Sequence, residues 1–133
     1  MSDFELADTF YTIASLLDQI IGSFITLLFA FLVAAYLVSS KLDRPMVIIV
    51  IALYSCMAIR YTFLYLNISG DMVALADRIS LVQQQEGSAL DWLVIGQGLA
   101  SMHYTQTATM FLCFLASLVF FFFMRHRAGR NDE

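Results

Sequence analysis

The chain has 133 residues, 60% hydrophobic and 14% charged, with a formal net charge of −4 and a mean hydropathy of +0.77. A soluble domain is about a quarter charged, so this composition belongs with membrane proteins, and the length allows a single domain. An acidic balance, with a sequence pI of about 4.9, argues against a nucleic-acid partner.

The first residues carry Asp3, Glu5 and Asp8, where a cleaved signal peptide needs a basic start, so the apolar segment that follows is expected to remain as a helix. A helix crossing a hydrocarbon core of roughly 30 Å needs about 20 mainly apolar residues. Three segments qualify, at about residues 13–38, 46–66 and 92–124. The expectation is an all-α integral membrane three-helix bundle, one membrane domain over residues 1–133. The first and third spans exceed a minimal crossing, so they either tilt or continue as helix beyond the surface.

The first span carries a row at three- and four-residue spacing: Tyr11, Ser15, Asp18, Gly22, Thr26, Ala30 and Ala34. From Gly22 onward this is a small-xxx-small series, which lets two helix backbones approach closely. It is suited either to the chain's own third span or to another subunit. The first loop follows, with Lys41, Arg44 and the chain's one proline, Pro45.

The second span holds Arg60. An arginine at the centre of a span costs about 2.5–3.5 kcal/mol on insertion scales, and less nearer the interface. It is expected either to find a partner inside the bundle, with Asp18 the one acidic candidate in a span, or to snorkel to the surface. Cys56 here and Cys113 in the third span sit in apolar runs and read as buried small hydrophobes.

The outer loop, residues 67–91, is the largest extramembrane segment expected. Gly70-Asp71 reads as a helix start and Gly87 as a stop. Met72, Leu75, Ile79 and Val82 recur at helical spacing, so a short amphipathic helix is expected there. Asn67-Ile68-Ser69 matches a glycosylation acceptor and is read as a chance match.

The third span is polar in its outer half. One row (Gln97, Ser101, Thr105, Thr109, Cys113, Ser117) steps by four residues and so drifts about 40° round the helix at each step. A second row (Gly96, Ala100, His103, Thr107, Met110) keeps to one face. Burying both requires neighbours on two sides, which favours further subunits. Phe120 to Phe123 reads as lipid-facing or interhelical packing.

Lys41, Arg44, Arg125, Arg127 and Arg130, five of the seven Lys and Arg residues, fall in the first loop and the tail, residues 125–133. The positive-inside rule makes that side cytoplasmic and the N-terminus external, with compact loops suggesting a bacterial inner membrane. Counting from these basic residues, Asp18 lies about 35 Å up its helix, His103 about 33 Å and Arg60 about 24 Å. An intramembrane polar cluster of Asp18, Arg60, Gln97, His103 and Gln106 is therefore expected in the outer leaflet.

His103 is the single weak candidate for a cofactor ligand or proton carrier. No other ligand stands at metal spacing, and no catalytic or phosphate-binding motif is present, so no enzyme activity and no cofactor are expected. The expected role is a structural or accessory subunit of a membrane complex, with the lipid bilayer and other subunits, or copies of itself, as partners. Two alternatives stand beside it. One is a homo-oligomeric channel, whose layout of three spans and a charged tail is similar to the larger holins. The other is a redox or proton-carrying subunit.

Overall fold

The computed structural model describes residues 2–38, 41–84 and 99–129. The described chain is all-helical: α1 (Asp3–Val38), α2 (Arg44–Gln83) and α3 (Leu99–Gly129). All three are long and apolar enough to cross a membrane.

Local chemistry explains where the helices begin. Ser2 and Glu5 form a reciprocal cap: the Ser2 amide donates to Glu5 Oε2 at 2.8 Å, and the Glu5 amide donates to Ser2 Oγ at 3.3 Å. Two amides that would otherwise lack acceptors are thereby satisfied, and α1 starts ten residues before the first span. The turn at its other end is closed by the Lys41 amide on the Val38 carbonyl oxygen, at 2.9 Å. Pro45 then falls in the first turn of α2, where its missing N–H removes no helical bond.

The helices pack through residues spaced three and four apart. On α2 the buried positions are Val47, Tyr54, Ala58, Tyr65, Ser69, Ala76 and Ile79, an approximately 3.5-residue repeat that keeps one stripe facing its neighbours. Leu6 and Ala7 cluster with Ile79, while Phe31 and Ala35 cluster with Val47, Tyr54 and Phe121. The first two helices therefore run antiparallel. Between those ends lies a third cluster of Leu17, Ile20, Phe24, Ala58, Tyr65 and Met110.

Helices of 36 and 40 residues are about 54 and 60 Å long, well beyond a hydrocarbon core of roughly 30 Å. Their first and last turns pair as a stalk, held by Leu6, Ala7 and Ile79 with Phe10, Leu75 and Val82 around them.

This stalk corrects one expectation. The separate amphipathic helix of the outer loop is not seen, because residues 67–83 continue α2 without a break at Gly70. Its apolar stripe is in phase with the buried stripe below it: Tyr65, Ser69, Met72, Ala76 and Ile79 step by four and three. One continuous helix can thus bury both against α1. A mid-helix glycine costs only about 1 kcal/mol relative to alanine, too little to outweigh that packing.

In each helix less than a quarter of the most apolar stretch is buried inside the chain. The α1 row of Gly22, Thr26, Ala30 and Ala34 lies on the exposed side. A Cβ built at Gly22 would meet nothing within 4 Å.

Candidate functional site

The polar chemistry begins at Ser69, one turn after Tyr65 on α2. Its hydroxyl donates to the Tyr65 carbonyl oxygen at 2.5 Å, as serines inside helices commonly do. The same oxygen is bonded to Nδ1 of His103 on α3. A hydroxyl has one proton, and here the Tyr65 carbonyl takes it, so by donor count Nδ1 carries the hydrogen of the second bond. This selects the Nδ1–H form of the neutral ring and leaves Nε2 as an acceptor.

Two tyrosines fix the ring plane. Tyr65 lies nearly parallel to it at 6.4 Å between centroids, and Tyr104 meets it edge-on at 4.9 Å. The imidazole is thus oriented by side chains of both α2 and α3.

His103 opens on a cleft of about 430 Å³ to which all three helices contribute, with Asp18 and Gln106 in its lining. Ser69 and Tyr65 form the floor, and Leu17, Ile21 and Met72 supply apolar wall. Neither the Asp18 carboxylate, the Gln106 amide nor Nε2 of His103 has a hydrogen-bond partner among the described residues. Among the described residues no lysine or arginine lines the cleft.

The structure therefore brings together three of the five residues of the expected polar cluster. Gln97 lies outside the described residues. Arg60 is described and stands elsewhere: it is two residues past buried Ala58, hence about 200° round the helix, and exposed. No ion pair joins Arg60 to Asp18 among the described residues. The α2 stripe that packs inward is apolar and small, and Arg60 is out of phase with it.

The two rows on α3 separate as their geometry requires. His103 and Thr107 are half-buried and Met110 is buried, on the face turned to the other helices. Of the remaining members of that row, Gly96 lies outside the described residues, as does the side chain of Ala100. The drifting row starts outside, with Ser101, Thr105 and Thr109 exposed, and reaches the core at Cys113 and Ser117. Thr105 and Thr109 donate to carbonyl oxygens one turn back, at 2.8 and 2.9 Å.

Ser117 ends in a contact that sequence reasoning missed. Its Oγ lies 2.7 Å from the Tyr54 hydroxyl, and Tyr54 stacks on Phe31 with centroids 3.8 Å apart. The available signal was a tyrosine amid apolar residues, whose hydroxyl needs a partner when buried. At the same end Arg125 Nη1 donates to the Leu42 carbonyl oxygen at 3.0 Å, tying α3 to the first turn.

The Asn67-Ile68-Ser69 tripeptide is helical, and its serine is buried under His103. Among the described residues no three His, Cys, Asp or Glu side chains converge as metal ligands. No protein-family model, curated protein or solved structure matches the chain.

Proposed function

We propose that the chain is a small membrane subunit that works by assembly, docking further subunits on the exposed faces of α1 and α3. The observation that carries this is the open Gly22–Thr26–Ala30–Ala34 row, which none of the described residues covers. Lipid tails are as apolar as leucine, so helices associate in a bilayer by close van der Waals packing and hydrogen bonds. A groove floored by glycine and alanine serves that purpose, and lipid contact alone does not need it. Thr105 and Thr109 offer a second exposed face: their hydroxyls donate within α3 and keep lone pairs that can accept a bond across an interface.

In this reading the three helices cross the bilayer once each. Lys41, Arg44, Arg125 and Arg127 mark the cytoplasmic end, and the N-terminal stalk projects outside. The exposed Thr105–Thr109 face also supports a second reading, in which copies arrange that face around a shared polar pathway.

The test is the mass of the detergent-solubilised protein, purified gently from its own membrane. A complex larger than one chain is expected, and Gly22→Leu is expected to dissociate it while helix content and unfolding temperature hold. A monomer of unmodified protein overturns the reading. A homo-oligomer that passes ions selects the pore over the accessory subunit.

A further inference from the structure

The geometry points to a lipid-headgroup site in the cleft between α1, α2 and α3, selective for a primary ammonium and using Asp18 as countercharge. This rests on the membrane placement proposed above and is independent of how subunits assemble.

The cleft offers three acceptors without protein partners among the described residues: the Asp18 carboxylate, the Gln106 amide oxygen and Nε2 of His103. In the neutral ring Nε2 is an acceptor, because Nδ1 holds the hydrogen given to Ser69. Asp18 is exposed on the cleft side, and a carboxylate near the edge of the hydrocarbon layer is stabilised when a cation meets it. Among the described residues no lysine or arginine lines the cleft, so the cation in this proposal comes from outside them.

A primary ammonium fits on charge and on donors. It carries one positive charge against one carboxylate, and three N–H groups against three acceptors. A choline headgroup has the charge but no N–H to donate. An anionic headgroup without an amine brings a second negative charge towards Asp18. A divalent metal is poorly served by one carboxylate and one imidazole, and no ligand trio is found among the described residues.

The position favours a lipid over a soluble amine. Asp18 stands 20 residues, about 30 Å, up α1 from its last residue Val38, at the edge of a hydrocarbon core of roughly 30 Å where the headgroups begin. Apolar Leu17, Ile21 and Met72 beside the acceptors give the lipid's glycerol and first methylenes a surface to lie on.

The experiment uses the full chain in mild detergent, titrated with phosphatidylethanolamine, phosphatidylcholine, phosphatidylglycerol or free phosphoethanolamine. Bound lipid is read by native mass spectrometry, and stability by thermal unfolding. Retention of phosphatidylethanolamine alone is expected, with a midpoint raised by several degrees and at least tenfold weaker retention in Asp18→Asn. Equal retention of the choline lipid by unmodified protein overturns the site without relying on any variant. So does an equal effect of free phosphoethanolamine, which would make the ligand a soluble amine, or an unchanged preference in Asp18→Asn. A chain that stays monodisperse without detergent overturns the membrane placement, and the site with it. A detergent-dependent chain with no headgroup preference overturns the site alone.

Discussion

Tyr54 on α2 and Ser117 on α3, 63 residues apart in sequence, meet through a buried 2.7 Å hydrogen bond, and Phe31 of α1 stacks on the tyrosine ring. This contact joins all three helices near the Arg125 end. Removing the hydroxyl tests its weight. Tyr54→Phe keeps the ring stack, so the expected loss is about 0.6 kcal/mol and at most about 1.7, the range for interhelical bonds in bilayers. Unfolding of Tyr54→Phe, Ser117→Ala and the double variant in detergent checks this. Strictly additive losses would show that the bond is not formed.

The same end separates two adjacent phenylalanines. Phe121 is 1% exposed and Phe122 54%. Phe121→Ala leaves a cavity among Phe31, Val47 and Tyr54, with an expected cost on the order of 2 kcal/mol from the void alone. Phe122→Ala is expected to stay within about 0.5 kcal/mol. Paired thermal unfolding of the two variants makes the comparison, and equal losses would contradict the packing described.

The stalk predicts protection where the sequence suggests a loop. Amide hydrogen exchange through residues 70–83 is expected to be slow, as for a packed helix. Gly70→Ala is expected to be tolerated or to stabilise by up to about 1 kcal/mol, since a Cβ at Gly70 meets nothing within 4 Å. Gly70→Pro is expected to cost about 3 kcal/mol or more and to release the segment beyond it. Fast exchange of residues 71–83 in the unmodified protein would refute the continuous helix.

The His103 tautomer is directly measurable. Nitrogen-15 chemical shifts of the neutral imidazole are expected to show the hydrogen on Nδ1, with Ser69→Ala shifting the population towards Nε2–H. A neutral ring already in the Nε2–H form would reverse the donor assignment at Ser69 and remove one acceptor from the cleft.

Much of this bundle is legible in the sequence, and the rest has identifiable causes. Long apolar runs at three- and four-residue spacing disclose the helices, because lipid demands continuous helix and close packing demands the repeat. Counting rise per residue from Lys41 and Arg125 places Asp18 and His103 at one level, and the cleft joins them with Gln106. Rise alone says nothing of azimuth, so it leaves both a partner such as Asp18 and the surface open to Arg60, which faces away from the α2 stripe. The stalk is hidden because Gly70-Asp71 reads as the start of a new helix, although the stripe above it is in phase with that below. Its opening signal was present in Ser2-Asp3-Phe4-Glu5, the spacing of a reciprocal cap. The Tyr54–Ser117 bond joins residues on different helices, and no local pattern reveals such a partner.

Assembly through the open α1 row is the central claim, and cross-linking from inside a membrane addresses it most directly. A photoreactive side chain is placed at Thr26 in one variant and at Leu53, 64% exposed on α2, in another. Irradiation in native membranes is expected to give a discrete protein adduct from Thr26 and lipid adducts alone from Leu53. Lipid adducts alone from both positions would contradict the claim.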